Sequence, residues 1–188
     1  GAEPMGLDPQ IVTGVPEHHI ISALIEGLVT ENKKNLNPEP GTAERWETSE
    51  DGLVWKFYLR KDAKWSNGDP VTAIDFVQSY QRMLTPSLGS QYAYMLHVVK
   101  NAEAYNSGKL KDFSQVGFMA INDKQLNITL KAPTPYFLSL LNHYSWFPVH
   151  IPSIKEHGGI DKPDNRWTLP GNFVGNGPFI LDKWEINK

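Results

Sequence analysis

The stretch from Ala43 to Tyr80 constrains this chain more than any other. It reads as strand, turn, strand, turn, helix. Asp51-Gly52 and Asn67-Gly68 are turn dipeptides, since glycine accepts a positive φ without a Cβ clash. Between them Leu53, Trp55, Phe57 and Leu59 alternate with Val54, Lys56, Tyr58 and Arg60. That period of two gives one apolar and one mostly polar face, as a half-buried strand requires. Pro70-Val71-Thr72 then ends the extended chain. Thr72 is placed as an N-cap, with Asp75 three residues on in a capping-box-like relation. Ala73, Phe76, Val77, Tyr80, Met83 and Leu84 follow at helical spacing.

The rest of the chain is punctuated by proline and glycine. Glu3-Pro4 to Asp8-Pro9 is extended, because the residue before a proline avoids the helical region. Thr13-Gly14-Val15-Pro16-Glu17 turns into a helix, with Pro16 suited to its first position. Ile21, Leu24, Ile25 and Leu28 give that helix its apolar stripe. Glu31 to Gly41 reads as a polar connector. A second helical stretch is expected over Tyr92–Tyr105. Val116–Ile121 and Gln125–Lys131 read as strands, the second with Leu126, Ile128 and Leu130 inward. Tyr136–Leu141 is a short helix. Pro148–Pro152 is extended and leads to a short helix around Ile154–His157. Gly171–Pro178 is a turn before a strand from Phe179 to Trp184.

Several chemistries find no residues to rest on. The net charge is −3, so no electrostatic case exists for nucleic acid or an anionic membrane. Cysteine is absent, which removes disulfides and thiolate metal sites. The histidines have no H-x-x-x-H or HExxH spacing. Glu17-His18-His19 reads as the exposed first turn of a helix or, at most, a weak metal contact. There is no G-x-S-x-G elbow and no P-loop. Gly175 and Gly177 lack the strand-to-helix context of a dinucleotide loop. Glu50-Asp51 and Asp62 with Asp69 read as solvated turn residues, with nothing to place a carboxylate pair across a cleft. No catalytic residue, metal ligand or cofactor is expected. No run approaches the roughly 18 apolar residues of a membrane span. Six Trp and seven Tyr suit either core packing or a ligand groove, where amphipathic rings meet varied side chains at little entropic cost.

Trp55, Phe57, Leu59-Arg60-Lys61-Asp62-Ala63-Lys64-Trp65-Ser66-Asn67-Gly68, Pro70-Val71-Thr72-Ala73 and Asp75-Phe76-Val77 together resemble the signature of the bacterial extracellular solute-binding proteins of family 5. These are peptide-binding receptors of ABC importers, and the oligopeptide-binding branch fits best. Leu7-Asp8-Pro9 with the helix to Glu26-Gly27-Leu28-Val29, and Gly177-Pro178-Phe179, extend the resemblance over nearly the whole chain.

The resemblance implies an α/β, type II periplasmic-binding-protein-like fold with a mixed sheet. Residues 1–26 would open lobe I, 27–149 would form the inserted lobe II subdomain, and 150–188 would return to lobe I. Family members are longer and add a ligand-clamping C-terminal domain, so this chain is expected to be a front fragment. The implied function is capture of oligopeptides outside the inner membrane and delivery to ABC permease subunits. The same fold carries dipeptides, metal chelates, haem or sugars, and a peptide-signal receptor is a further alternative. A stand-alone carbohydrate-binding module would need an exposed row of Trp. The implied setting is periplasmic or lipid-anchored at the cell surface, with a removed leader, a monomeric state and no nucleic-acid partner.

For the site, Thr13, Gly14 and Val15 suit strand addition, in which an extended ligand backbone pairs with an exposed protein backbone. Gly14 removes a side chain that would block approach. In the family the positions matching Thr13 and Val15 line the ligand cleft, although many relatives have an acidic residue where Thr13 stands. Tyr92 matches a tyrosine that faces the ligand. The same residues also serve as a plain turn into the helix and as an aromatic packed on its lobe.

Overall fold

The computed structural model describes residues 3–163 and 166–185. The first helix, α1 (Val15–Leu24), starts from Gly14 in the extended region and carries Pro16 in its first turn. Ile21, Leu24, Ile25 and Leu28 are all buried, the stripe read from their spacing. The connector beyond is more ordered than its polarity suggested. β1 (Val29–Glu31) and β2 (Pro38–Pro40) pair antiparallel as a ribbon. Its tip is held by Asn32, whose side-chain oxygen accepts the Lys34 N–H at 2.9 Å. Proline survives here because each strand of a two-stranded ribbon has an edge that needs no donor.

The main sheet runs β3 (Ala43–Thr48), β4 (Val54–Leu59), β6 (Gln125–Thr129), β5 (Phe118–Asn122), neighbour to neighbour. Gly52 turns the β3–β4 hairpin at φ +69°, and Asp51 Oδ1 accepts the Leu53 N–H at 3.0 Å. Every pairing among the described residues is antiparallel. The fold is α/β as expected, but these strands form no mixed sheet. Parallel neighbours need a long crossover, and the β3–β4 and β5–β6 links are too short to supply one.

One face of the sheet is covered by α2 (Ala73–Leu84). Its start is fixed by Asp75, whose Oδ2 accepts the Thr72 N–H at 2.8 Å and the Thr72 hydroxyl at 2.9 Å. From α2, Ala73, Phe76, Tyr80, Met83 and Leu84 are buried against Phe57, Leu59, Leu126 and Ile128. Each such large apolar side chain contributes about 1.5–3 kcal/mol on leaving water. A second cluster gathers Leu7, Val12, Ile21, Leu24, Ile25, Tyr144, Phe147, Val149, Ile151, Ile154, Trp167 and Phe173.

The expected helix over Tyr92–Tyr105 is broken in two. A 3-10 segment covers Ala93–Val98, and α3 covers only Ala102–Asn106. Between them the backbone is recruited to the end of β6: Lys100 N–H donates to Thr129 O at 2.9 Å and Lys131 N–H to Val98 O at 2.8 Å. Asn101 takes φ +62°, a conformation asparagine tolerates better than most residues. After α4 (Phe137–Leu140), the chain enters α5 (Ile151–His157). This helix begins earlier than expected, since Pro152 falls in the first turn, where an N–H has no helical acceptor. Phe179–Trp184 forms no strand, because no neighbouring strand among the described residues lies beside it to complete a ladder. Phe179 and Ile180 are exposed. Among the described residues no helix is long and apolar enough to cross a membrane.

Candidate functional site

The four residues singled out from the sequence come together. Thr13 and Val15 are exposed, Gly14 and Tyr92 half-buried. The Tyr92 hydroxyl donates to the Thr13 carbonyl at 3.3 Å across 79 residues. Next to it, Tyr144 donates to the Val12 carbonyl at 3.2 Å, across 132 residues. Two tyrosines thus hold consecutive carbonyls of the extended segment that leads into α1.

These tyrosines belong to an aromatic group. The Tyr92 ring meets the His143 ring edge-on, centroids 4.9 Å apart, and lies 6.0 Å from Tyr144. His143 stacks on Tyr144 at 4.3 Å, and His18 packs against Tyr144 at 5.7 Å. Burial lowers the His143 pKa to about 4, with the nearby His18 adding to the effect. Burial also raises the Tyr144 pKa, with Tyr92 and then Glu17 adding to it. Near pH 7 His143 and Tyr144 are therefore both uncharged. A neutral aromatic wall beside an exposed backbone edge suits a ligand of variable side chains.

Gly14 also makes room within the protein. A Cβ built on Gly14 would fall 1.9 Å from Glu17 Oε2, so the missing side chain makes room for a carboxylate of the protein itself. Glu17 is only 4% exposed. Its Oε1 accepts the Met5 N–H at 2.8 Å, while Oε2 has no hydrogen-bond partner. It sits in the first turn of α1, where the helix dipole favours negative charge. His18 is half-buried against Tyr144, rather than lying on an exposed turn. Among the described residues no three His, Cys, Asp or Glu side chains could hold a metal ion.

A cavity of about 370 Å³ opens beside this group, lined by His18, Ser22, Ile25, Glu26, Asn142 and Phe147 among others. Its lining residue Glu26 is braced by Asn176. That side chain accepts the Glu26 N–H at 3.0 Å and donates to the Glu26 carbonyl at 3.0 Å and to Thr42 Oγ1 at 3.2 Å. Glu26 also pairs with Arg60 at 2.6 Å. The flanking Gly175 and Gly177 let this loop press on the end of α1: added Cβ atoms would meet Leu24 O at 2.1 Å and Leu24 C at 2.5 Å.

Sequence reasoning missed His143, Tyr144 and the burial of Glu17. The one local hint was the aromatic density of His143-Tyr144-Ser145-Trp146-Phe147, and nothing in that run says which backbone it meets.

Residues 37–188 match the family described as bacterial extracellular solute-binding proteins, family 5 Middle. The chain is 43% identical to the periplasmic oligopeptide-binding protein OppA of Escherichia coli K12, over 100% of this chain and 33% of that protein. It is 40% identical to the dipeptide-binding protein DppE of Bacillus subtilis 168, over 97% of this chain and 32% of that one. Among solved structures, Haemophilus influenzae OppA in complex with RPPGFSPFR superposes with a TM-score of 0.92 at 39% identity, covering 100% of this chain and 36% of that one. The chain spans about a third of the length of the relatives it matches.

Proposed function

The chain belongs to the bacterial extracellular solute-binding proteins of family 5 and has their type II periplasmic-binding-protein-like α/β fold, and on that premise we propose that it forms part of the peptide cleft of an ABC-importer receptor. The receptor takes up oligopeptides outside the inner membrane and hands them to permease subunits. It makes and breaks no covalent bonds.

The observation that carries this reading is the exposed Thr13–Val15 edge beside the Tyr92–His143–Tyr144 wall. A receptor that ignores peptide sequence must hold what all peptides share. An extended backbone edge does so by strand addition, while roomy aromatic pockets accept side chains. Thr13, Gly14, Val15 and Tyr92 are the residues assigned to that contact. The chain divides as 1–26 with 150–188 against 27–149. In support, one buried cluster draws on residues between Leu28 and Trp146, and the other on Leu7–Ile25 and Tyr144–Phe173. The relatives are about three times as long as this chain, and in such receptors a cleft has two walls. Closure then follows from the ligand's contacts to both walls.

The test is a thermal-shift screen of the full-length protein against di- to pentapeptides, sugars, bile acids and metal chelates. A ligand present at about 100 times its Kd adds about 2.7 kcal/mol of stability. The reading expects the peptides to raise the midpoint. A rise with another class and none with peptides overturns it.

A further inference from the structure

The Val12, Thr13 and Gly14 carbonyls along the proposed edge each already accept one hydrogen bond. The Val12 carbonyl takes the Tyr144 hydroxyl, the Thr13 carbonyl takes the Tyr92 hydroxyl, and the Gly14 carbonyl takes the His18 N–H at 3.2 Å. These three donors differ in freedom. Tyr144 is 3% exposed, and its bond is buried. The His18 N–H bond is part of the first turn of α1. Only the Tyr92–Thr13 bond lies at the exposed surface, with the ring half-buried. Of the three bonds, the one from Tyr92 is the one that can open at the surface.

From this we infer that Tyr92 is a specificity-determining residue that makes the site indifferent to whether the ligand residue opposite Thr13 carries a backbone N–H. The inference rests on the strand-addition reading above. A ligand with an N–H there takes over the Thr13 carbonyl, and the Tyr92 hydroxyl turns aside. A proline or other N-alkylated residue brings no donor, and Tyr92 then keeps its bond. In both cases the carbonyl stays paired as the ligand covers it. Without the hydroxyl, an N-alkylated ligand would bury a bare carbonyl oxygen, and a buried unpaired acceptor is costly. Tyr92 therefore widens the set of accepted peptides to those interrupted by proline.

The test is an N-methyl scan of tetra-alanine against the full-length protein and its Tyr92→Phe variant, read by calorimetry. At each position the ratio of Kd with and without the methyl group is compared between the two proteins. The expected result is one position at which the ratio is about tenfold larger in Tyr92→Phe. Para-aminophenylalanine at position 92, which keeps a donor at the same place, restores the parent ratio. Should Phe unfold the protein, para-fluorophenylalanine at 92 serves as the donor-free variant of similar size. Ratios that match at every position overturn the inference while leaving the peptide-binding reading intact. So does a uniform loss of affinity in the variant. Failure of the parent to bind any peptide of the scan overturns both.

Discussion

Arg82 on α2 grips Asp8 with two hydrogen bonds, Nη2 to Oδ2 at 2.6 Å and Nη1 to Oδ1 at 3.1 Å. Both side chains are wholly buried. The rest of the guanidinium is used as well: Nη1 also donates to Gln10 Oε1 at 2.6 Å and Nε to the Ile160 carbonyl at 2.9 Å. Gln10 in turn donates to the Ser79 carbonyl at 2.7 Å. This network ties the segment preceding the candidate site to the helix that covers the main sheet.

Removing one partner of such a pair strands a buried charge. Arg82→Leu is expected to cost about 3–5 kcal/mol. Replacing both, as Asp8→Asn with Arg82→Leu, recovers part of that loss because no bare charge remains. Urea midpoints of the two variants and the parent check this. A single variant as stable as the parent would contradict it.

Gly175→Ala and Gly14→Ala should separate sharply. At Gly175 the new methyl meets the Leu24 carbonyl, a backbone atom, at 2.1 Å. Neither chain can move without unpacking α1, so the cost is at least about 2 kcal/mol. At Gly14 the methyl meets the end of the Glu17 side chain, which can rotate away. That change is expected to cost about 1 kcal/mol and to expose the carboxylate, losing the Met5 contact. Thermal unfolding of the two variants decides the order.

The pH dependence has a definite sign. His143 has its folded pKa near 4, below its ordinary 6.5, because it is buried. The unfolded chain therefore takes up a proton that the folded chain refuses. Stability is unaffected by this group above pH 6.5 and falls as the pH drops from 6.5 toward 4. His150 is also lowered by burial, against the opposing pull of Asp69 and Asp75, and acts in the same direction. Asp51 and Asp112, lowered chiefly by the Ser49 and Ser114 hydroxyls, act only below about pH 3.8. His143→Asn keeps an acceptor for the Ser145 N–H and should flatten the fall between pH 6.5 and 4. Urea midpoints across that range measure it, and an unchanged slope in the variant would refute the assignment.

The hairpin and helix from Ala43 to Leu84 were legible because each device there is local. The alternation, the Asp51-Gly52 turn and the Thr72–Asp75 cap all act within a few residues. The break at Asn101 was not, since it is set by bonds from Lys100 and Lys131 around the end of β6. The Asp8–Arg82 pair joins residues 74 apart, and neither residue type announces burial. Thr13 and Tyr92 were singled out through family resemblance, and the structure brings them into contact. Tyr144 could be placed only once the chain was folded, because it meets Val12 across 132 residues.

Hydrogen exchange on the full-length protein, with and without a bound tripeptide, tests the site most directly. If the ligand backbone pairs with the Thr13–Val15 edge, the amides of Thr13 and Val15, which share one side of an extended chain, slow on binding while those of the β3–β4 hairpin keep their rates. Binding that leaves these two amides as fast as before would show that the peptide lies elsewhere.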